Sequence, residues 1–498
     1  MIAGRNAKRA IVAAMLTGSL LAACSDDDNK TGVGGAGGAA GVDGGTAGTG
    51  GAGGMAEVDG GTAGTGGTGG VGGGMGGTGG TPMACTAANA MNITADVAAD
   101  TTWSAPCYQL KKQVFIANNA TLTIAAGTTI LGDPSLPVGN KAALIAARGS
   151  KLVAVGTRDK PIVFTSGNPR GTRTSKDWGG VALLGAAKVN SGTMVAGGFL
   201  ERNIEGIPQT EPKGKYGGID DASNCGRLEY VRIEFAGAEL SPNQELNGLT
   251  MGACGSGTQV RYIQVHRGSD DGVEMFGGTA SMDHILITGD EDDGLDWDEG
   301  WTGKVQFLVV HKFVGAGDNG FEADNFGTKE DATPISNPTL FNVTMVGTPT
   351  TRAMLLREGT YGTMRNFVVV DFKGGLIDVE GLMVDPKAIW PGSLSVENGV
   401  FFNNADFLDT AAENMKDMNF NEKTAFEDPA RKNTFTANPM LGSTSATAPN
   451  YVPGNAAAVM GKGTPTFGDT AATYAGAFAP GTAAAMAWTS GWTAYPEN

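Results

Sequence analysis

A repeat of about 21–26 residues runs through the middle of this 498-residue chain. Each unit holds two short apolar runs, and an Asn–Gly, an Asp–Gly or another small-residue turn precedes the second run. Two consecutive units extend from Val260 to Met275 and from Met282 to Trp297. Such a unit cannot bury its apolar face alone, whereas stacked units can. The repeat therefore predicts an all-β protein, a right-handed parallel β-helix with a cap at its C-terminal end.

Glycine and asparagine occur where a β-helix uses them. Of the 80 glycines, 27 fall among the 50 residues from Thr31 to Gly80, a segment without apolar bulk that is predicted to be a flexible tether. Many of the others fit solenoid turns, which use left-handed backbone conformations. Asn342, Asn366 and Asn398 share one column of the repeat, which predicts an asparagine ladder at a turn. The alternative, a β-propeller, would show a period of about 40–50 residues.

The N-terminus has the pattern of a targeting segment. Three basic residues precede a short apolar stretch that ends in Leu-Ala-Ala-Cys at Cys24. This ending resembles the lipobox of bacterial lipoproteins, and the resemblance implies cleavage before Cys24 and lipidation of its sulfur. Ser25 follows the cysteine, and in lipoprotein sorting patterns this favours the outer membrane. We therefore expect an outer-membrane lipoprotein that is exposed at the cell surface, with a periplasm-facing body as the alternative.

These features divide the chain into five segments. They are a signal peptide (1–23), the lipidated cysteine and glycine-rich tether (24–82), an N-terminal cap segment (83–113), the parallel β-helix (114–408) and a C-terminal capping region (409–498). The four remaining cysteines suit disulfides in an exported chain, and four cysteines allow three pairings. We favour the two local ones, Cys85–Cys107 and Cys225–Cys254.

The charge of the chain argues against nucleic acid as a partner. The formal net charge is 35 − 51 = −16, and an acidic surface repels phosphate backbones. The acidic residues are concentrated: eleven lie between Ser269 and Glu299, where there is no lysine or arginine. Such a surface fits cations, or neutral and basic ligands.

Stacking the repeat places these acids in columns. Glu274, Asp296 and Glu322 align between apolar neighbours, so they share one outward face if Val273 points to the core. Asp271, Asp293 and Asn319 form a second column, and Phe276, Asp298, Asp324 and Arg357 form a third. Like charges on adjacent strands destabilise a sheet, and oxygen ligands suit Ca²⁺. The candidate ligands are Asp271, Glu274, Asp293, Asp296, Glu322 and Asp324.

Two other interpretations of the acidic columns stay open. The columns can be a carbohydrate-binding or catalytic groove, in which Glu274, Asp296 and Glu322 act as paired carboxylates of a glycoside hydrolase. A polysaccharide lyase would instead need a basic residue such as Arg357. They can also be a solvated acidic face, and the Asp324–Arg357 alignment offers a structural ion pair in that case.

The apolar segments resemble a known family. Ala120-Thr-Leu-Thr-Ile-Ala-Ala-Gly-Thr-Thr-Ile, Trp178-Gly-Gly and the ending Trp488-Thr-Ser-Gly-Trp-Thr are similar to bacterial surface lipoproteins with a pectate-lyase-like β-helix. The resemblance implies the fold over about residues 100–498 and leaves function open. Our expectation is a binding or structural role at the cell surface, with the outer membrane and either a polysaccharide or another surface protein as partners.

Overall fold

The computed structural model describes residues 84–498, apart from residues 242–243 and 408–409. The predicted signal peptide, Cys24 and the tether lie outside this part of the chain. Across the described residues, no helix combines the length and the hydropathy that a membrane crossing needs.

Nine parallel strands form one sheet, called the back sheet below. Its strands in chain order are Gln113–Ile116, Ala143–Ala146, Gly180–Leu184, Leu249–Gly252, Val273–Phe276, Leu295–Asp298, Asn319–Ala323, Arg352–Leu356 and Gly375–Val379. Residues two apart point to the same side of a strand. Val273, Leu295 and Phe321 therefore stack directly over one another, and all three are buried in the core.

Fifteen parallel strands form the opposite sheet, called the front sheet. Its strands are Met91–Ile93, Thr101–Trp103, Cys107–Leu110, Thr121–Ile124, Thr129–Gly132, Lys151–Val155, Ile162–Ser166, Gly226–Glu234, Gln259–His266, Ser281–Thr288, Lys304–His311, Thr339–Val346, Gly362–Val370, Leu394–Glu397 and Val400–Phe402. The early coils contribute two short strands each, and Gly226–Glu234 pairs with Lys151–Val155 and Ile162–Ser166 together. From there most coils contribute one long strand. Parallel pairing begins at Met91, inside the segment predicted as an N-terminal cap.

The repeat length matches the coil length. Ile263, Ile285 and Leu308 stack in the front sheet, 22 and 23 residues apart (285 − 263 and 308 − 285). Side chains from both sheets form one apolar cluster that runs through the successive coils. The prediction of an all-β, right-handed parallel β-helix is confirmed, since parallel strands joined by crossovers within one sheet take this hand.

One column of residues bends the long front strands. Its members have left-handed backbone conformations with φ between 51° and 63°, and they are Tyr230, Tyr262, His284, Phe307, Asn342, Asn366 and Asn398. The predicted asparagine ladder is thus the last part of a longer column. A left-handed residue with a side chain costs roughly 1–2 kcal/mol. Ring stacking offsets this cost in the first part, with centroids of Tyr230 and Tyr262 4.5 Å apart and those of Tyr262 and His284 4.4 Å apart.

Short strands and short helices lie outside the two large sheets. In the described residues, these strands form three short antiparallel sheets. The first contains Thr193–Val195, Phe199–Asn203 and Lys215–Tyr216, the second Glu239–Ser241 and Gln244–Glu245, and the third Leu441–Ser443 and Asn450–Pro453. The α-helices are Pro386–Ile389, Glu422–Phe426 and Ala456–Val459, and the 3₁₀ helices are Pro212–Gly214, Glu413–Met415, Pro429–Arg431 and Ala484–Met486. Residues 185–225, called the insertion below, connect the back strand Gly180–Leu184 to the front strand Gly226–Glu234.

The C-terminal region has two parts. Residues 410–435, called the cap, close the last coil: Phe420 and Phe426 join the main core, and Phe435 stacks on Phe401. Residues 450–498, called the strap, run back along the outside of the front sheet. Asn366 donates a hydrogen bond to the carbonyl of Gly463 (2.6 Å), and Gln264, several coils earlier, donates one to Ala494 (2.7 Å). The segment predicted as a C-terminal cap therefore covers a side of the solenoid as well as its end.

Both predicted disulfides are present. Cys85 and Cys107 have sulfurs 1.98 Å apart, and Cys225 and Cys254 have sulfurs 2.07 Å apart. The first bond ties the start of the described chain to the first coils. The second ties the end of the insertion to Cys254, two residues after the back strand Leu249–Gly252. Each bond therefore fixes a segment that the solenoid repeat does not itself hold.

Candidate metal centre

The back sheet carries the predicted acidic column on its outer side. Val273 and Met275 point to the core, so Glu274 between them points outward. The register pairs Glu274 with Asp296, and Asp296 with Glu322. Strand alternation and coil stacking thus place three carboxylates in one line, as the repeat predicts.

A ladder of side chains holds the turn before these strands. The backbone N–H of Asp271 donates to Oδ1 of Asn247 (3.2 Å), and the N–H of Asp293 donates to Oδ1 of Asp271 (2.9 Å). The N–H of Asn319 donates to Oδ1 of Asp293 in the same way. Asn and Asp recur in this column because a short oxygen-bearing side chain reaches the backbone of the next coil. The ladder also fixes Asp271 close to the outward carboxylates.

Three carboxylates converge at this point. Asp271, Glu274 and Asp296 each offer one oxygen, and these oxygens all lie within 4.8 Å of one another. Calcium binds carboxylate oxygens at about 2.3–2.6 Å, so two ligands on opposite sides of the ion are about 5 Å apart. The spacing of the three oxygens therefore fits a single hard cation. We call Asp271, Glu274 and Asp296 the triad.

The triad is covered, although its side chains point away from the core. Asp271 is 7% exposed and Glu274 is 6% exposed. The insertion crosses the outer face of the back sheet here. The ring of Tyr216 lies 6.1 Å from that of Phe276, and its hydroxyl donates to Glu299 (3.0 Å). This burial contradicts the interpretation of Asp271 and Glu274 as a solvated acidic face.

The triad brings negative charges together in a buried place, which raises the pKa values of its carboxylates. Burial raises the pKa of Asp271 and of Glu274 well above the ordinary range, and the neighbouring Asp296 carboxylate raises both pKa values further. Burial likewise raises the pKa of Asp296 well above its ordinary value. Within the described part of the chain, Oδ1 of Asp296 is buried without a hydrogen-bond partner. An ionised carboxylate in such surroundings is costly unless a positive charge lies against it.

An arginine forms ion pairs with the neighbouring acids of the same columns. Arg357 is 4% exposed and donates from Nε to Asp324 (2.9 Å) and from Nη2 to Glu322. The predicted ion pair between Asp324 and Arg357 is therefore present, and it includes Glu322. Asp293 accepts the hydrogen bond from the N–H of Asn319 in the turn ladder, and burial raises the pKa of Asp293 to about 7. Of the six candidate ligands, the structure brings together Asp271, Glu274 and Asp296, and it assigns Asp293, Glu322 and Asp324 other contacts.

Four further acids adjoin the triad and were not among the predicted ligands. Asp270 and Asp292 group with Asp271, and Glu205 and Glu245 group with Asp270, each set having oxygens within 4.8 Å. Asp270 and Asp292 carry a sequence signal, since each directly precedes a residue of the turn ladder. Glu205 comes from the insertion, and Glu245 comes from the short antiparallel pair of Glu239–Ser241 and Gln244–Glu245. A repeat cannot position either of them.

A family model described as the pectate-lyase-like β-helix domain matches residues 94–493. The chain belongs to this family. The resemblance of the apolar segments to a pectate-lyase-like β-helix is thus confirmed, over nearly the whole of the described chain. No curated protein and no solved structure matched the chain. The match to the pectate-lyase-like β-helix family includes the triad, the insertion and all but the last residues of the strap, and it establishes the fold rather than an activity.

Proposed function

We propose that this β-helix is a binding or structural lipoprotein of the outer membrane, and that a hard divalent cation such as Ca²⁺ binds at the triad. The observation that carries the cation proposal is the convergence of three carboxylates, the buried Asp271 and Glu274 and the partly buried Asp296, with oxygens within 4.8 Å of one another. Because the triad joins two successive coils, a bound cation would stabilise the stack and the insertion over it. The tethered body would then present a rigid surface to a polysaccharide or to another surface protein.

The charge balance around the triad supports a cation. Arg357 contacts Glu322 and Asp324, and Arg202 contacts Glu299 with 2.7 Å between Nε and Oε1. Both arginines are therefore engaged at the border of the triad. A divalent ion would supply positive charge between the three carboxylates and would lower their pKa values. Carboxylate oxygens are the ligands that hard cations prefer.

The hydrolase or lyase alternative fits this geometry less well. A polysaccharide chain needs a groove that is open to solvent, whereas Asp271 and Glu274 are almost fully covered. Glu322 and Arg357, two further candidates for such chemistry, bind each other. Release of sugar fragments from acidic or neutral polysaccharides by the purified chain, lost in Glu274→Gln, would replace the binding proposal with the enzymatic one.

Calcium titration tests the cation proposal. We expect the chelator-treated full chain to bind Ca²⁺ calorimetrically with a Kd between about 10⁻⁶ and 10⁻³ M and to melt at a higher temperature with Ca²⁺. Asp296→Asn should weaken binding at the triad at least about tenfold, which is a loss of about 1.4 kcal/mol. Asp283→Asn is the matched control, because Asp283 belongs to the same acidic stretch but lies half-exposed on the front sheet. Equal affinity in Asp296→Asn and the native chain would refute the triad as the site.

Metabolic labelling tests the anchor. We expect radiolabelled palmitate to enter the native chain and not Cys24→Ala, and we expect the variant to leave the membrane fraction. Added protease in intact cells should degrade the body if it faces outward. A native chain that takes up no label would refute lipidation, and a body that survives protease until the cells are lysed would favour the periplasm-facing alternative.

A further inference from the structure

A second group of acids lies where the last coil meets the cap. Asp378 belongs to the final back strand and stands in the same outward column as Glu322, with Leu355 between them. Glu380 directly follows this strand. Glu413 lies in the 3₁₀ helix of the cap and Glu422 begins the cap helix Glu422–Phe426. We call Asp378, Glu380, Glu413 and Glu422 the cap cluster.

Two members of the cap cluster are fully enclosed. Asp378 and Glu422 are each 1% exposed. Among the residues that the structure describes, Oδ1 of Asp378 and one oxygen of Glu422 are buried without a hydrogen-bond partner, and Oδ2 of Asp378 and Oε2 of Glu413 have ion-pair contacts only. The other oxygen of Glu422 accepts a long bond from the N–H of Val379 (3.3 Å). Buried carboxylate oxygens without donors are costly, so the arrangement calls for a positive charge.

Basic side chains balance the cap cluster only in part. Arg352 places Nη1 3.2 Å from Oδ2 of Asp378. Lys416 places Nζ 2.8 Å from Glu380 and 3.4 Å from Glu413. The four carboxylates of the cap cluster and the buried Asp417, which raises the pKa of Glu422, thus outnumber the two cations. A divalent cation would reduce the excess of negative charge that remains when all groups are ionised.

We propose that a divalent oxygen-seeking cation binds between Asp378, Glu380 and Glu413 and joins the cap to the last coil. One oxygen from each of these residues lies within 4.8 Å of the other two, the spacing that a single Ca²⁺-sized ion requires. Glu380 and Glu413 keep 14% and 19% of their side-chain surface exposed, so an ion can reach the site from solvent. The ligands come from the solenoid and from the cap, so the ion would hold together two parts that the repeat does not connect.

The proposal is independent of the triad, and the two sites are separable by mutation. The full chain is treated with chelator and then titrated with Ca²⁺ at pH 7.5, while hydrogen exchange is followed over residues 410–426. We expect Ca²⁺ to slow exchange of these amides at least about fivefold in the native chain and in Asp296→Asn. In Asp378→Asn the protection should disappear, and calorimetry should count one ion fewer than in the native chain.

Two further variants complete this experiment. Glu413→Gln removes a partly exposed ligand and should repeat the effect if Asp378→Asn fails to fold. Glu427→Gln is the matched control, because Glu427 lies at the end of the cap helix and contacts only the exposed Lys423 among the ion pairs described. Its Ca²⁺ protection should equal that of the native chain. Unchanged exchange of residues 410–426 on Ca²⁺ addition, or an unchanged ion count in both Asp378→Asn and Glu413→Gln, would show that protons rather than a cation neutralise the cap cluster.

Discussion

Arg357 shows how a single residue decides which acids of a column are available to a ligand. Glu274, Asp296, Glu322 and Asp324 all point outward from neighbouring back strands. Arg357 lies one coil further and holds Glu322 and Asp324 with its guanidinium. The two carboxylates nearest to it therefore share one guanidinium, and the triad beyond them is left with a surplus of negative charge.

We predict that Arg357→Met destabilises the protein by about 3–5 kcal/mol, because removing one partner of a buried ion pair leaves the other charges uncompensated. The measurement is the urea midpoint of the chelator-treated chain at pH 7.5. Glu322→Gln/Asp324→Asn/Arg357→Met should recover most of the loss, since no buried charge remains in that group. A midpoint for Arg357→Met within error of the native chain would contradict the stabilising role of this network.

At the scale of elements, the front sheet and the strap depend on one another. The left-handed column bends each long front strand and exposes aromatic faces and amide side chains along one line. The strap covers this line: the carbonyls of Ala472 and Tyr474 accept from Asn342 (3.0 and 2.7 Å), and Trp492 packs edge-on against Tyr230 with centroids 5.6 Å apart. The strap thus satisfies the polar and aromatic groups that the bend creates.

We predict that Trp492→Ala releases the end of the strap. Trp492 is 1% exposed, and truncating a buried tryptophan costs about 3–5 kcal/mol of local stability. Hydrogen exchange should rise for residues 484–498, and limited proteolysis should cut there first. Met486→Ala, at a 74% exposed position of the same segment, should leave both readouts unchanged. Native-like exchange of the strap in Trp492→Ala would mean that other contacts hold it.

The elements that follow the repeat could be predicted from the sequence, and those that interrupt it could not. Strand alternation and the coil period predict the line Glu274–Asp296–Glu322, and the register agrees. The column containing Asn342 was also predictable, because asparagine tolerates left-handed geometry. Tyr230 and Phe307 in the same column gave no such signal, since large side chains rarely adopt it. Glu205 and the strap reach their places through long-range contacts that no local pattern records.

For the whole molecule, two sets of buried groups make stability depend on pH in opposite directions. Burial raises the pKa of Asp378 to about 7 and that of Glu422 to about 8, so their contribution to stability is present below about pH 4 and is lost as pH rises through 7–8. Burial lowers the pKa of His266 and of His311 to about 4. Their contribution is present above about pH 6.5 and is lost as pH falls through 4.

These opposite pH dependences predict how the melting temperature of the metal-free protein changes with pH. Above pH 6.5 the histidines are neutral in the folded state and lose their remaining protons in the unfolded state, which contributes less than the carboxyl groups, whose ionisation should remove on the order of a few kcal/mol between pH 6.5 and 8. We expect the melting temperature in chelator to fall by several degrees over this range. The fall should be smaller in Asp378→Asn, which has no charge to bury, and smaller in saturating Ca²⁺, which would compensate the ionised carboxylates. A metal-free melting temperature that stays level or rises from pH 6.5 to 8 would contradict the argument that buried, uncompensated carboxylates limit the stability of this solenoid.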